Sequence, residues 1–469
     1  MNRNTSGAEA SSESRVTPRG QPGADRRSRG FPRSTAVPAV WFGIVLTLYA
    51  AGPAHAQHSP ARHVDEARLR ETLEHLSQYG RNPEGGVSRV GFSDADIAGR
   101  EYVMGLMRDA GLEVRIDAAG NIFGHRAGTA DLPLLLFGSH IDSVPHGGNF
   151  DGDVGSLSAI EVIRALQENK ITTRHPLAVV IWTNEEGGRF YSGLFGSSAA
   201  AGLVPRDTIN RRDDKGETLA EWLKKYGGDP SHLEAARIPS GKIAGYLELH
   251  IEQGAVLDEA KIPIGVVQGI VGISQRICTA AGFANHAGTT PMNLRRDALL
   301  AASRAALAVR DEVRAQPGAQ VGTVGWMKVE PGAANVIPGR VTFPVELRDL
   351  QAAKFAGIGE RILQRLAAIS REEHVTIECT KPEVHEPALA TPAFRSAIKA
   401  AAESAGLSTR DLPSGAGHDA QNVARYAPMG MIFVPSRGGI SHSPLEFTPY
   451  EQIANGAEVL YRTLLLLDQ

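Results

Sequence analysis

The stretch LPLLLFGSHIDSVPHGGNFDG, residues 132–152, decides how the rest of the chain is read. Its apolar run from Leu134 to Phe137 has the unbroken hydrophobicity of a strand buried on both faces, as in a parallel sheet. Gly138-Ser139-His140 follows at once. That places an imidazole just beyond the carboxyl end of the strand, where open α/β sheets keep their ligand sites. A Gly/Pro-rich loop then leads to Asp151, and Val154 to Leu166 has helical spacing of apolar residues. A second apolar run, Leu177 to Trp182, ends in Thr183-Asn184-Glu185-Glu186. Two parallel strands joined by a helix, each delivering an imidazole or carboxylate from its carboxyl end, point to a metal site.

Composition bounds what surrounds this stretch. A chain of 469 residues, 42% hydrophobic, is long enough for two domains with cores of their own. The net charge of −3 gives no basis for nucleic-acid binding. Cys278 and Cys379 are the only cysteines, which excludes a disulfide framework and a cysteine-based zinc site.

The amino-terminal segment reads apart from the fold. Met1 to Ser34 is rich in Arg, Ser, Gly and Pro, with Arg26, Arg27, Arg29 and Arg33 gathered before an apolar segment, Ala36 to Ala51. Ala54-His55-Ala56 then gives a small-x-small cleavage pattern before Gln57. This is the order of a bacterial secretory signal peptide over residues 1–56, and it predicts a periplasmic or secreted protein cleaved near Ala56/Gln57. Left uncleaved, the segment would be a membrane anchor, although it is short for a span of roughly 20 residues. The mature form is expected to have no stable membrane span.

From Val64 onward the pattern is α/β. Helices are expected over Val64–Tyr79, over Asp94–Ala110 with Ser93 as N-cap, and over Thr218–Tyr226. Strands are expected over Leu112–Ile116, over Asn121–Gly124, and from Tyr246 into the polar end His250-Ile251-Glu252-Gln253. From about Val266 the pattern changes. Strand Val271–Ala280, helix Arg296–Val313, strands Val321–Val329 and Arg340–Arg348, helix Ala353–Ile369 and strand Val375–Cys379 give β-α-β-β-α-β, the ferredoxin-like unit. Helix Pro392–Ala405, strand Met429–Val434 and helix Tyr450–Leu467 then return to the first domain. The expected architecture is a catalytic metal-binding domain, residues 64–268 and 387–469, with a central, mostly parallel sheet. An inserted α+β domain spans 269–386. Cys278 and Cys379 fall in its first and last strands, which are neighbours in a ferredoxin-like sheet, so an oxidising compartment would let them pair.

The candidate ligands are His140, Asp151, Glu186, His250 and His442, each near a strand end or in a Gly/Pro-rich loop. Imidazole and carboxylate suit Zn²⁺, and a carboxylate between two ions can bridge them. Two ions roughly 3.5–4 Å apart would lower the pKa of a shared water. Taken singly, each of these residues is more simply structural; the weight lies in the set. Asp142, two residues past His140, is placed either to orient that imidazole or to cap its own loop. Adjacent Glu185 and Glu186 would be an ordinary solvated pair on a surface, but an apolar strand runs straight into them. Glu186 as ligand and Glu185 as general base would use both carboxylates.

At this point the chain resembles the M20 metallopeptidase superfamily, and within it the hydantoinase/carbamoylase amidase branch. That branch holds N-carbamoyl-L-amino-acid hydrolases, β-ureidopropionases and allantoate amidohydrolases. The motifs that carry the resemblance are Gly138-Ser139-His140-Ile141-Asp142-Ser143, Gly147-Gly148-Asn149-Phe150-Asp151-Gly152, Glu185-Glu186-Gly187 and Glu248-Leu249-His250-Ile251-Glu252-Gln253-Gly254. Asn285-His286-Ala287-Gly288-Thr289-Thr290-Pro291-Met292, Ser414-Gly415-Ala416-Gly417-His418-Asp419-Ala420 and Gly439-Ile440-Ser441-His442-Ser443-Pro444 add to them. The resemblance implies two divalent ions bridged by Asp151, zinc first, with manganese, cobalt or nickel as alternatives. His140 and His250 would serve one side, Glu186 and His442 the other, and Glu185 would be the base.

The resemblance also implies that Gln253, His286, Asn335, Arg348 and Gly417 hold a carbamoylated amino acid. Arg348 can grip a carboxylate bidentately with Asn335 beside it, and His286 can stabilise the oxyanion. Taken singly, Arg348 is an ordinary surface ion-pair residue and Asn335 a turn residue before Pro338. The inserted domain would be a lid through which a homodimer forms, with His286 and, by extension, Arg348 reaching the partner's site. The export signal departs from the relatives with purine or pyrimidine salvage roles, which are typically cytoplasmic. The function implied is hydrolysis of the ureido C–N bond of an N-carbamoyl-L-amino acid. Allantoate is the nearest rival substrate, and a peptide or N-acyl amino acid the next. A non-catalytic exported binding protein on the same scaffold is the alternative class; it would have no need of Glu185.

Overall fold

The computed structural model describes residues 62–190 and 193–469; the segment read as an export signal lies outside them. Helix α1 (Glu66–Leu76) starts at Asp65 and α2 (Asp94–Asp109) at Ser93. Each cap side chain accepts a backbone N–H of the first turn, so a donor that the helix itself cannot satisfy is paired. Strands β1 (Glu113–Ile116) and β2 (Ile122–Arg126) form an antiparallel hairpin. Next come β3 (Leu134–His140), α3 (Asp153–Glu168) and β4 (Leu177–Trp182), with β3 and β4 parallel. Short helices α4 (Phe195–Ala200) and α5 (Leu219–Lys225) precede β5 (Ile243–Ile251), α6 (Val256–Ala260) and β6 (Ile264–Ile270).

The second sheet begins with β7 (Gly272–Ala281). After β8 (Asn285–His286) and α7 (Ala298–Arg314) come β9 (Val321–Thr323), β10 (Lys328–Glu330), β11 (Val336–Ile337) and β12 (Arg340–Asp349). Helix α8 (Ala352–Glu372), β13 (Thr376–Cys379) and β14 (Glu383–His385) complete it. The order β10-β12-β7-β13, with β9 also on β12, is that of a ferredoxin-like unit. The run read as one strand from Val321 to Val329 is two short ones: β9 pairs Glu346–Arg348 and β10 pairs Arg340–Thr342. Gly325 interrupts it, and glycine in a strand run favours a break. Helices α7 and α8 cover one face of the sheet, around Phe343, Val345, Leu347, Phe355 and Ile362. Cys278 and Cys379 lie directly opposite each other on β7 and β13 and form a disulfide.

The chain then returns through β15 (Ala388–Leu389), α9 (Pro392–Ser404), β16 (Thr409–Ser414), α10 (Ala420–Val423), β17 (Met429–Val434) and α11 (Tyr450–Leu467). The first sheet runs β1-β2-β4-β3-β5-β17-β6-β15, with β16 on β6. Its centre, β4-β3-β5-β17, is parallel, and its flanks are largely antiparallel. Leu177, Val179 and Ile181 of β4 enter the core on one face, while Ala178, Val180 and Trp182 enter the core on the other. Burial on both faces explains why these strands carry apolar runs and not alternation. α3 is buried nearly all round, between the sheet and α1 and α11, so its sequence is largely apolar or small, and its buried Asp153 and Glu161 are paired with Arg89 and Arg68.

Candidate metal centre

His140 ends β3, His250 is the penultimate residue of β5, and Glu185-Glu186 follow β4 by two residues. Asp151 lies in the turn into α3, and His442 in the loop after β17. All five therefore gather at the carboxyl ends of the central parallel strands, where no strand continues to fill the space. His250 Nε2 is 3.1 Å and His140 Nε2 3.5 Å from Asp151 Oδ1. On the other oxygen, His442 Nε2 is 3.4 Å from Asp151 Oδ2 and 3.5 Å from Glu186 Oε2. One carboxylate thus faces two ligand groups, His140 with His250 and Glu186 with His442. Gly152 makes this arrangement feasible. Its φ is 68°, and a Cβ there would lie 2.4 Å from the His140 ring.

These residues fit a divalent cation. His140 Nδ1 meets the Asp142 carbonyl oxygen at 3.0 Å, and His250 Nδ1 meets that of Ile251 at 2.9 Å. Carbonyls only accept, so each Nδ1 carries the N–H and each Nε2 turns a lone pair toward Asp151. A lone pair facing a carboxylate oxygen is repulsive unless a proton or a cation lies between them. His250 Nε2 and Glu186 Oε1 are buried without a hydrogen-bond partner. Burial pushes the Glu186 carboxyl up to about 8, helped by Asp151 and opposed by His140 and His442. Burial likewise raises Glu185, with His140 opposing it. The hydrogen bond to Asp151 raises the half-exposed His442 imidazole to about 9. A divalent cation would take the place of protons on these imidazoles as the countercharge to the carboxylates, and the N/O donor set suits zinc and its first-row neighbours.

Glu185 belongs to neither ligand group; its Oε2 is 3.8 Å from His140 Nε2. Asp142 does something other than orient His140 through its carboxylate. That contact is 3.8 Å, and the carboxylate instead accepts from the backbone N–H of Glu185 at 3.0 Å and Glu186 at 3.1 Å. Gln253 donates from Nε2 to Asp151 Oδ2 at 2.6 Å. A cavity of about 210 Å³ opens over this cluster, lined by Glu185, Glu186, Leu194, Gln253, Gly417 and His442 among others.

The three residues expected from the inserted domain sit apart from the cavity lining. His286 and Asn335 are exposed neighbours where β8 pairs with β11. His286 Nδ1 accepts from Gly288 N–H at 3.0 Å and Thr289 N–H at 3.2 Å, which leaves Nε2 as the free N–H donor. Arg348 donates to Glu346 at 2.8 Å and to the Gly415 carbonyl at 2.7 Å, beside the Ala416-Gly417 turn that lines the cavity.

Sequence reasoning passed over His418 and Glu248, although both stood in quoted motifs. His418 packs edge-on against His250, and its Nε2 is 2.8 Å from Ser414 Oγ. Glu248 accepts from Ser139 Oγ at 2.8 Å and Ala420 N–H at 3.2 Å. A buried Glu two residues before a strand-end ligand is a signal that alternation alone would have placed on the same sheet face as that ligand.

Comparison with known proteins identifies the family. Residues 136–466 match the model for Peptidase family M20/M25/M40. An N-carbamoyl-L-amino acid amidohydrolase from Geobacillus stearothermophilus is 43% identical over 86% of this chain and 98% of its own length. An allantoate amidohydrolase from Escherichia coli is 36% identical over 84% of this chain and 95% of its own. The crystal structure of a hydantoinase/carbamoylase family amidase from Burkholderia multivorans superposes with a TM-score of 0.82 at 39% identity, covering 86% of this chain and 98% of that one. The chain therefore belongs to peptidase family M20/M25/M40, and within it to the hydantoinase/carbamoylase amidases.

Proposed function

We propose that the protein hydrolyses the carbamoyl C–N bonds of N-carbamoyl-L-amino acids, consuming one water and releasing ammonia, carbon dioxide and the free amino acid. The observation that carries this reading is Asp151, whose two oxygens face separate ligand groups while Glu185 stands beside them uncommitted. On this reading two divalent ions, zinc first, are held by His140, Asp151 and His250 and by Asp151, Glu186 and His442. When bound, they would acidify a water and polarise the ureido carbonyl. Glu185 accepts the proton of the attacking water and returns it to the leaving nitrogen. Its buried setting, which raises its proton affinity, suits both transfers. Gln253 and Gly417 border the substrate cavity. Arg348 and Asn335 would take the substrate carboxylate, and the Nε2–H of His286 the oxyanion.

Because His286 stands away from the cavity, we assign its role to a homodimer in which it serves the partner's site. Exposed Leu300 and Leu307 on α7, with Val321 and Trp326 at the β9 edge, give that pairing an apolar surface and an open strand. Mixing Glu185→Gln with His286→Ala protein tests this assignment. Random pairing makes about half the dimers mixed, and about a quarter of wild-type activity should return; no recovery, with mixed dimers shown to form, refutes it. Export, with cleavage near Gln57, is consistent with a disulfide, which persists in oxidising compartments. The membrane-anchored form is the alternative, and amino-terminal sequencing of the recovered protein decides between them.

Allantoate is the second reading, favoured by the similarity to the Escherichia coli enzyme. Ammonia release by metal-loaded protein from N-carbamoyl amino acids and allantoate, measured beside the release of free amino acid from dipeptides, separates the readings. The highest kcat/KM should fall on an N-carbamoyl-L-amino acid, and turnover confined to dipeptides would refute both.

A further inference from the structure

His140 and His250 sit in strands, where ladder hydrogen bonds fix the backbone; Asp151 and His442 sit in loops, where nothing periodic does. His442 also holds a left-handed φ of 54°, which a non-glycine residue keeps only when its surroundings impose it. Glu446, in the same loop and 4% exposed, is what reaches both. Its Oε1 accepts the backbone N–H groups of Phe150 and Asp151, each at 3.0 Å. Its Oε2 accepts from Ser441 Oγ at 2.9 Å and His442 N–H at 3.2 Å. Ser441 Oγ in turn lies 3.1 Å from Asp151 Oδ2. No Lys or Arg pairs with Glu446 among the described residues, and these four donors are its hydrogen-bond partners. The approach is close enough that a Cβ at Gly148 would come within 2.1 Å of Glu446 Oε1.

We propose that Glu446 is the positioning residue of the Asp151/Glu186/His442 half of the site. One carboxylate clasps the loop carrying Asp151 to the loop carrying His442, and so sets the distance between two ligands that no sheet aligns. The His140/His250 half, anchored in β3 and β5, does not depend on it. This inference rests on the metal reading proposed above.

The test is the Glu446→Gln variant. It keeps the shape, but an amide nitrogen must face either the Phe150/Asp151 pair, where both accepted bonds become donor–donor contacts, or the Ser441/His442 pair, where the hydroxyl can turn to accept but the His442 N–H loses its acceptor. Zinc content of the purified full chain is measured by mass spectrometry after dialysis against graded chelator. The wild type should lose zinc in two steps. In the variant one step should shift to weaker binding by about 10–100-fold while the other stays in place. Activity should return as added zinc is raised, which a merely structural defect would not allow. Glu458→Gln is the control: that buried acid bonds His63 and Arg462 on α11, and both its steps should match wild type. If Glu446→Gln does not fold, Ser441→Ala removes one of the four contacts and should shift the same step less. Two unshifted steps in a folded variant, or two steps weakened equally, overturn the inference. A wild-type chain that binds no zinc, manganese or cobalt refutes instead the metal reading beneath it.

Discussion

Replacing Asp142 by Asn should lower turnover far more than it lowers substrate affinity. Beyond Trp182 the ladder of β4 stops, and the backbone that presents Glu185 and Glu186 is held from the β3 side by the two oxygens of Asp142. The side chain is 2% exposed, so water cannot take over either bond. Asn keeps one acceptor and turns an NH₂ group toward the other N–H. Losing one hydrogen bond to a charged group costs about 1.5–3 kcal/mol. Displacement of the base is felt in the transition state, where each 1.36 kcal/mol is tenfold, so kcat should fall roughly 10- to 100-fold with KM little changed. Steady-state kinetics on an N-carbamoyl amino acid, with unfolding midpoints in urea, measures both consequences. A variant with wild-type kcat and an unchanged midpoint would show that Asp142 does not hold this segment.

Three other perturbations read different parts of the structure. Glu185→Gln should retain metal and lose about 10²–10⁴ in kcat, as expected for removing a general base; metal loss equal to that of His140→Ala would contradict the separation of roles. The Cys278–Cys379 disulfide closes a loop with a sequence separation of 101 residues. Its removal by the double Ala variant should destabilise the second sheet by up to about 4.7 kcal/mol, and identical urea curves for variant and wild type would refute this. Burial raises the Asp96 carboxyl to about 6, against Arg100, so the folded chain binds a proton that the unfolded chain has released above about 3.9. Its contribution to stability is present below about 3.9 and is lost as pH rises through about 6. Wild type should therefore lose about 2 kcal/mol relative to Asp96→Asn between pH 4 and 7, and a pH-independent difference would exclude the shift.

Much of the site was legible because chemistry and punctuation coincide. Apolar runs ended in His140, in Glu185-Glu186 and in His250, and a doubly buried strand cannot continue into such residues without a use for them. The ferredoxin-like order was legible for the same reason, since each of its elements carries a clean period. β6 and β16 were not. Ile264–Ile270 contains two glycines at a domain junction, and Thr409–Ser414 is polar with Pro413, which sits where its register shifts. Glycines break up the first despite its Ile and Val, and the second is largely polar; both are strands because tertiary pairing supplies what the local pattern lacks. The roles of Asp142 and Glu446 were illegible for another reason. Each works through backbone N–H groups of distant loops, and no spacing within one segment reveals such a partner.

The central claim is that His140, Asp151, Glu186, His250 and His442 hold divalent metal on which amide hydrolysis depends. It is tested most directly by measuring metal content and ammonia release together on an N-carbamoyl-L-amino acid, in protein stripped by exhaustive chelation and then reloaded with Zn²⁺, Mn²⁺ or Co²⁺. Activity should vanish with the metal and return in proportion to metal bound. Full activity in protein shown to be free of metal would contradict it.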